Sequence, residues 1–235
     1  MKLPVSIIIP TLNEEKYLPR LLESIEKQTM QPSEIIVADA FSTDKTREIA
    51  KNLKCKIVDG GMPGKARNNG ARVAHEDLLL FLDSDVTLPP SFLEDTISEM
   101  KRRDIDVASC FAVPLSPSPF DRYLHIVIGR YIKLVNTFYP HAGGYCIFVK
   151  KQVHERIGGF DESVVLAEDH NYVKRAGKIG RFAYLESSKV SVSVRRIVKE
   201  GRLKLALKYI WVEFYRLFGG EVRKDHFRYQ FGKFN

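Results

Sequence analysis

Short apolar runs alternate with amphipathic segments in the N-terminal part of the chain. Four runs rich in Ile, Val and Leu cover residues 5–9, 34–38, 55–58 and 78–82. Because runs of this length are typical of strands buried on both faces, they predict the strands of one sheet. Three segments with apolar residues at helical spacing lie between the runs, at residues 14–28, 43–53 and 65–74. The alternation of strands with helices predicts βαβ units and a mostly parallel sheet.

The C-terminal part of the chain follows a less regular pattern. Pro114, Pro117 and Pro119 indicate a loop. Residues 123–139 form an apolar, aromatic segment that charged side chains interrupt, and we assign no element to it. The predicted elements of this part are helices at residues 91–103, 168–176 and 201–218 and strands at residues 106–113, 145–149, 181–185 and 189–194.

The chain length of 235 residues predicts one large domain, or one domain with an appendage, at roughly 150 residues per domain. We expect an α/β domain over residues 1–195 and a helical extension over residues 196–235. The composition, 44% hydrophobic and 28% charged, is that of a globular protein and excludes a disordered chain. Cys55, Cys110 and Cys146 lack the paired spacing of a disulfide framework or a zinc site, so we expect them in the core.

The net charge of +8 is concentrated at the C-terminus. Residues 195–235 contain 11 basic and 4 acidic residues, together with 9 of the 25 aromatic residues. A basic, aromatic segment of this kind predicts an anionic partner, which could be a membrane surface, nucleic acid or an acidic substrate. Since no helix-turn-helix, RRM or zinc pattern accompanies the charge, we expect no nucleic-acid partner.

The predicted helix in this segment has a wide apolar face. Its central stripe consists of Leu203, Leu207, Ile210, Phe214 and Leu217. A helix with such a face and basic residues elsewhere can lie in a membrane interface. The alternative is that it packs on the preceding domain, or on another subunit of a homo-oligomer.

Two features of the sequence concern its location. No apolar run reaches the ~18 residues that a membrane span requires, so we expect none. The N-terminus lacks the charged region, apolar core and cleavage site of a secretory signal. We therefore expect a cytoplasmic protein. The basic C-terminal segment is also consistent with peripheral attachment to the cytoplasmic face of the membrane.

Polar residues follow three of the predicted strands at their carboxyl ends, where an open parallel sheet binds its ligands. They are Thr11, Asn13 and Glu14 after the first strand, Asp39 after the second, and Asp83, Ser84 and Asp85 after the fourth. Several carboxylates at one edge of a sheet indicate a nucleotide or metal site.

Asp83 and Asp85 stand two positions apart in a turn, so both carboxylates can point at one hard cation. Mg²⁺ or Mn²⁺ prefers oxygen ligands and completes its shell with substrate phosphates, and it would neutralise charge on a departing diphosphate. The alternative is an Asp-rich turn that caps the next helix. A glycine-rich turn at residues 60–64 also precedes a helix with Lys65 and Arg67, where backbone N–H groups and cations suit a diphosphate or its ribose. A capped surface helix is the alternative there.

Taken together and in order, these motifs resemble those of the inverting, nucleotide-sugar-dependent glycosyltransferases of family two, which have the GT-A fold. The resemblance covers residues 4 to about 185. The matching segments are residues 9–14, Asp39 with residues 42–44, residues 64–68, residues 83–85, Gly143 with Gly144, residues 158–162, and Glu168 with Asp169.

The resemblance implies a GT-A fold, a mostly parallel Rossmann-like sheet flanked by helices, and a nucleotide-sugar donor. The residues that it assigns to the nucleotide are Pro10, Thr11, Asn13, Glu14, Asp39, Arg67, Asp83 and Ser84. Within that set, Asp39 would accept the N3–H group of uracil, Asp83 would contact the ribose, and Arg67 would also fix the neighbouring carboxylates. A UDP-sugar is favoured over a GDP-sugar.

The resemblance also implies the chemistry of the transfer. Asp85 would bind Mg²⁺ or Mn²⁺, and Gly143 and Gly144 would line the pocket for the acceptor or the sugar. Asp169 would be the general base that takes the proton of an acceptor hydroxyl, with Glu168 beside it. The acceptor could be a glycan, including a lipid-linked glycan that stays in the bilayer.

The sequence departs from the family pattern beyond the acidic pair. Processive synthases carry a Gln-x-x-Arg-Trp motif there, whereas this chain has residues 193–196, and Arg195 becomes the predicted diphosphate contact. The membrane helices of those synthases are also missing, so polymer extrusion is not expected. Two alternatives stay open: a nucleotidyltransferase that makes a nucleotide sugar, and a non-catalytic module that binds a sugar nucleotide or glycan. The residues after the first strand argue against the former. The presence of both residues 83–85 and Asp169 argues against the latter.

Overall fold

The computed structural model describes residues 2–136 and 140–224 of the chain. Its strands are β1 (Lys2–Thr11), β2 (Gln31–Asp39), β3 (Lys56–Asp59), β4 (Leu78–Leu82), β5 (Val86–Thr87), β6 (Val107–Leu115), β7 (Cys146–Lys150) and β8 (Phe182–Ser193). Its helices are α1 (Leu18–Glu26), α2 (Thr46–Asn52), α3 (Pro63–Val73), α4 (Phe92–Arg102), α5 (Pro119–Val135), α6 (Lys151–Arg156), α7 (Glu168–Ala176), α8 (Arg195–Glu200) and α9 (Arg202–Phe218).

The strands form one mixed sheet in the order β3-β2-β1-β4-β7-β6-β8-β5. The first four strands are parallel to one another, as the alternation of strands and helices predicts. Strand β7 is antiparallel to both of its neighbours, and β5 pairs antiparallel with β8 at the far edge. The α/β fold class is confirmed, and the carboxyl ends of β1, β2 and β4 lie side by side at one edge.

The prediction that all four N-terminal strands are buried on both faces is wrong for β3. Its residues are half-buried or exposed because β3 pairs with β2 alone and forms the edge of the sheet. Cys55 just before it is half-buried, whereas Cys110 and Cys146 are buried in the core as expected.

The C-terminal part differs from its prediction in three places. Strand β6 continues through Pro114, and the predicted loop is short because Pro119 begins α5. Helix α5 occupies most of the apolar segment to which no element was assigned, while residues 137–139 of that segment lie outside the described residues. The two strands predicted at residues 181–185 and 189–194 are one strand, β8, whose pairing with β6 shifts register between Cys110 and Phe111. The short elements β5, α6 and α8 were not predicted.

The core lies on both faces of the sheet. Helix α1 buries Leu18, Leu21, Leu22 and Ile25 against one face. Helix α3 covers the other face and approaches β1 closely at Gly70, where a Cβ atom would collide with the side chain of Ile8. This close approach holds the start of α3, with Arg67, against the strand ends.

Helix α9 packs on the domain and also presents an apolar face to solvent. Its Val212 is buried in a small cluster with Leu166 and Val222, and Leu205 is buried as well. Leu203, Ile210 and Phe214 of the predicted stripe are instead more than half exposed. Within the described residues, no helix is both long enough and apolar enough to span a bilayer.

Candidate active site

A cleft of about 570 Å³ opens at the carboxyl edge of the sheet, between the strand ends and the helices α5 and α9. Most of the site residues predicted from the sequence line this one cleft. They are Pro10, Glu14, Arg67, Asp83, Ser84, Asp85, Gly143, Gly144, Glu168, Asp169 and Arg195. The topology explains part of the convergence, since β1, β4 and β7, whose ends carry Pro10 and Glu14, residues 83–85 and the two glycines, are neighbours in the sheet. The remaining four residues come from the helices α3, α7 and α8.

Thr11, Asn13 and Asp39 are not among the residues that line the cleft. Asp39 is fully buried, and its carboxylate accepts hydrogen bonds from the Thr11 hydroxyl at 3.1 Å and from Arg47 at 3.2 Å. The backbone N–H and the hydroxyl of Ser42 donate to the same carboxylate at 3.0 and 2.5 Å. In this arrangement Asp39 holds the loop after β2, and a contact with uracil would require it to exchange one of these partners. That contact stays a prediction.

Arg67 joins the two acidic segments of the cleft. Its guanidinium donates to Asp83 Oδ1 at 2.7 Å and to Glu168 Oε1 at 2.8 Å, and it also contacts the carbonyl oxygen of Gly144 at 3.4 Å. The same guanidinium lies 5.3 Å from the centre of the Phe160 ring. Because both carboxylates favour the charged form, the pKa of Arg67 is raised despite its burial. Arg67 therefore holds the side chains of Asp83 and Glu168, and its contact with the nucleotide stays a prediction.

Arg195 makes a second pair of contacts, at the first residue of α8. It donates two hydrogen bonds to Glu14, at 2.7 and 2.8 Å, and its Nε lies 2.8 Å from Asp85 Oδ2. Its guanidinium also lies 4.4 Å from the centre of the Tyr17 ring. The side chain predicted to contact a diphosphate is thus held beside the carboxylate predicted to bind a metal ion.

Three carboxylates, those of Glu14, Asp83 and Asp85, lie close together at this end of the cleft and repel one another when ionised. The pKa of Asp85 is raised to about 6, mainly by burial and also by the charges of Asp83 and Glu14, against the opposing effect of Arg195. Burial also raises the pKa of Glu14. Oxygen ligands that repel one another in this way fit a hard divalent cation, which would lower the cost of ionising them. Asp85 is the residue that would hold such an ion.

The acidic pair begins α7, next to the glycines. Asp169 Oδ2 accepts the backbone N–H of Gly144 at 2.5 Å. A Cβ atom on Gly144 would lie 2.5 Å from Nη2 of Arg67, so a glycine is required for this close approach. Ala167, just before the pair, has a left-handed φ of 61°, which turns the chain into the helix.

The two acids have opposite electrostatic environments. Burial alone would raise the pKa of Asp169, but the charges of His170 and Arg67 outweigh it and hold the pKa below its usual value. Burial and the charge of Asp169 together raise the pKa of Glu168 although Arg67 opposes them. Asp169 is therefore the member of the pair whose ionised form its surroundings favour.

A cluster that the sequence analysis missed lies beside Asp169. It contains His141 before β7, His170 on α7, and Glu213 with Arg216 on α9. The rings of His141 and His170 have centroids 3.8 Å apart, and His170 Nδ1 lies 2.9 Å from Glu213 Oε1. The first three side chains could share a metal ion, but Nη1 of Arg216 already lies 3.0 Å from His170 Nδ1, and its charge opposes a divalent cation. Only the adjacency of His170 to Asp169 could have drawn attention to the cluster, because its other members are distant in sequence.

The wall of the cleft opposite the strand ends is largely apolar. The apolar residues in it are Phe111, Ile128, Ile132, Leu205, Tyr209 and Val212. An ion pair between Arg202 Nε and Asp121 Oδ1, at 2.7 Å, joins the first turns of α9 and α5. The outward surfaces of the two helices expose further large apolar side chains, among them Phe120, Tyr123, Ile126 and Leu134 on α5 and Leu203, Ile210, Trp211, Phe214 and Phe218 on α9.

The comparison with known protein families defines the class of this protein. The family described as glycosyl transferase family 2 matches residues 6–158, which is more than half of the chain. The chain therefore belongs to glycosyl transferase family 2, as the ordered motifs predict. This membership favours a transferase over the nucleotidyltransferase and the binding module that the sequence left open.

Curated relatives include several named glycosyltransferases. The poly(ribitol-phosphate) beta-N-acetylglucosaminyltransferase TarS of Staphylococcus aureus is 34% identical over 112 residues, which are 43% of this chain and 20% of TarS. Glycosyltransferase AglE of Haloferax volcanii is 28% identical over 192 residues, which are 75% of this chain and 62% of AglE. The chain thus matches less than two thirds of the length of either relative.

Solved structures confirm the fold. The structure of TarS residues 1-349 from S. aureus in complex with UDP-GlcNAc has a TM-score of 0.68 at 20% identity, covering 93% of this chain and 73% of that one. The mannosyltransferase PcManGT of Pyrobaculum calidifontis, in complex with GDP-Man and Mn²⁺, has a TM-score of 0.67 at 21% identity, covering 90% and 65%. The described part of the chain has the GT-A fold.

Proposed function

We propose that the protein is an inverting glycosyltransferase that moves a sugar from a nucleotide-diphosphate donor, with a UDP-sugar favoured, to a hydroxyl group of an acceptor. The observation that carries the proposal is that one cleft is lined by the side chains for both parts of the reaction. The cleft contains a group of carboxylates suited to a metal-bound diphosphate and, separately, the carboxylate of Asp169, whose pKa is held below its usual value. Direct displacement requires these two functions and no covalent intermediate.

The leaving-group end of the cleft is formed by Asp85, Arg195 and their neighbours. A Mg²⁺ or Mn²⁺ ion held by Asp85 would supply charge neutralisation to the departing nucleoside diphosphate. Arg195 would support the same charge once its guanidinium turns from Asp85 to the diphosphate. The nucleotide itself would lie against Pro10, Glu14, Arg67, Asp83 and Ser84, all of which line the cleft.

The acceptor end is formed by Asp169, Gly143 and Gly144. The acceptor oxygen would attack the anomeric carbon as Asp169 takes its proton, and the bond from that carbon to the diphosphate oxygen would break. The attack comes from the face opposite the leaving group, so the anomeric configuration would invert. Glu168 is held by Arg67 and would shape the loop rather than take the proton.

The acceptor class is suggested by the apolar surroundings of the cleft. One wall comes from α5 and α9, whose outward faces expose aromatic and aliphatic side chains. Exposed Arg122 and Arg130 on α5 and Lys204 on α9 add positive charge to this surface. A helix pair of this kind suits the interface of an anionic membrane, where a lipid-linked glycan would meet the cleft. Peripheral membrane attachment is therefore part of the proposal.

A donor screen tests the proposed function. Binding and hydrolysis of UDP-sugars and GDP-sugars would be measured with Mn²⁺, with Mg²⁺ and with EDTA, for the wild type and for Asp85→Ala. We expect a UDP-sugar to bind only with a divalent cation, and to bind much more weakly to Asp85→Ala. Metal-independent binding that is unchanged in Asp85→Ala would contradict the metal role, and binding of no nucleotide sugar would contradict the function.

A further inference from the structure

Helix α9 reaches the acidic pair through His170. Glu213 Oε1 on α9 lies 2.9 Å from His170 Nδ1, and the other ring nitrogen of His170 lies 4.0 Å from Asp169 Oδ1. The backbone N–H of His170 donates to the same oxygen of Asp169 at 2.8 Å. His170 therefore lies between a carboxylate of the C-terminal helix and the carboxylate proposed as the base.

The charged groups around this contact come from four segments. Asp169 faces Arg67 of α3 and has Glu168 beside it on α7. His170 faces His141 before β7 and, on α9, Glu213 and Arg216. Arg216 Nη1 also donates to Glu213, at 3.0 and 3.2 Å, and Arg216 Nε lies 3.2 Å from Glu221. Glu213 is therefore the carboxylate of α9 that balances both cations.

These contacts determine the charge of the imidazole. Burial alone would lower the pKa of His170, but Asp169 and Glu213 outweigh it and raise the pKa. Burial would raise the pKa of Glu213, but its contacts with His170 and Arg216 outweigh burial and lower that pKa to about 2. His141 stays neutral, because burial and the charge of His170 lower its pKa to about 4.

We propose that Glu213 is a positioning residue for the transfer reaction, which through His170 keeps a positive charge beside Asp169 and so keeps that carboxylate ionised in mildly acidic solution. The inference rests on the proposed function, in which Asp169 is the base. Helix α9 then belongs to the catalytic unit, and truncation of the chain before α9 would remove both an apolar surface and a support of the base. Point substitutions are needed to separate the two.

The direction of the pH effect follows from the charges. In Glu213→Gln, His170 loses an anionic partner while Arg216 stays nearby, so the imidazole becomes neutral at a lower pH. Asp169 then loses a neighbouring cation, and its pKa rises. A unit charge at this distance changes a carboxyl pKa by about one unit or more. Activity that requires ionised Asp169 should therefore fall off at a pH about one unit higher than in the wild type.

The experiment combines NMR titration with pH-rate profiles. The imidazole signal of His170 would be titrated in the wild type, in Glu213→Gln and in the control Glu221→Gln, which removes a partner of Arg216 without touching His170. The acidic limb of kcat/KM would be measured for the same proteins. We expect Glu213→Gln to lower the pKa of His170 and to move the acidic limb up by about one pH unit, with Glu221→Gln close to the wild type.

A double-mutant cycle separates positioning from a structural role. In His170→Asn, adding Glu213→Gln should move the acidic limb no further, because the cation through which Glu213 acts is gone. A Glu213→Gln protein that loses activity equally at every pH would overturn the inference. If Glu213→Gln leaves the pKa of His170 unchanged, the inference is overturned whatever the activity, because the NMR titration needs no substrate. Full activity of Asp169→Asn would instead contradict the proposed base, while the titration of His170 could still shift.

Discussion

Two arginines each join two carboxylates in the cleft, yet they do so from different parts of the fold. Arg67 lies inside the domain on α3, and its side chain is 3% exposed. Arg195 begins α8, beyond the last strand, and its side chain is 16% exposed. Their partners are Asp83 and Glu168 for Arg67, and Glu14 and Asp85 for Arg195.

From this difference in burial we expect Arg67 to be a structural cation and Arg195 to be one that can change its partners. Arg67 connects the end of β4 to α7, and its removal would leave the buried Glu168 and the half-buried Asp83 without the cation between them. Arg195 contacts an oxygen of Asp85. In the proposed function a metal ion would need that oxygen, so Arg195 would balance the charge of Asp85 only until a metal-bound donor takes its place. The comparison predicts that substitutions of the two arginines have effects of different kinds as well as different sizes.

The largest effect is expected for Arg67→Met. Removal of one partner from a buried ion pair costs about 3–5 kcal/mol of folding free energy, because the other charge stays buried. Chemical denaturation of the variant measures this loss. Arg72→Met, at an exposed position of the same helix, should change the free energy of unfolding by less than about 0.5 kcal/mol. Equal stability of the two variants would show that Arg67 is not a structural cation.

A smaller effect, on ligands rather than on stability, is expected for Arg195→Met. The loss of a charge-assisted contact to the diphosphate should raise the KM for the donor by about tenfold, which corresponds to ~1.4 kcal/mol. Binding of Mn²⁺ without donor should become tighter, because Asp85 loses a competing cation. Titration of Mn²⁺ by electron paramagnetic resonance checks this. Weaker Mn²⁺ binding would mean that Arg195 supports the metal site and does not compete with it.

The smallest effect on catalysis is expected from the exposed face of α9. Replacing Ile210, Trp211 and Phe214 by serine should reduce sedimentation with anionic vesicles at low salt, because these side chains are 56–64% exposed. Turnover of a water-soluble acceptor should change less than about twofold, since none of the three lines the cleft. Leu53→Ser, at an exposed apolar position directly after α2, is the control. Unchanged sedimentation of the triple variant would contradict the proposal that this face of α9 binds a membrane.

The nucleotide half of the cleft could be predicted from the sequence because its signals are local. Each strand in that half is a short apolar run, and its polar residues follow immediately, as Asp83 and Asp85 follow β4. Parallel pairing then brings these residues together without further information. The ion pairs of Arg67 and Arg195 were only partly predictable, because their partners lie up to 181 residues away.

The acceptor half could not be predicted in the same detail. Helix α5 keeps large apolar side chains exposed, so its pattern lacks the polar face by which a docked surface helix is recognised. Leu203, Leu207, Ile210 and Phe214 of the stripe predicted on α9 face solvent. The burial of Val212, on another side of the helix, depends on Leu166 and Val222. The contact of Glu213 with His170 spans 43 residues and has no local signal.

The most direct test of the account is the transfer reaction of Asp169→Asn. The substitution keeps the shape of the side chain and removes its basicity, so transfer should fall about 10²–10⁴-fold while the Kd for the donor is retained. Glu168→Gln should cost less, because Arg67 already holds that carboxylate. NMR of the wild-type product should show the anomeric configuration opposite to that of the donor. A retained configuration, or full activity of Asp169→Asn, would contradict the account.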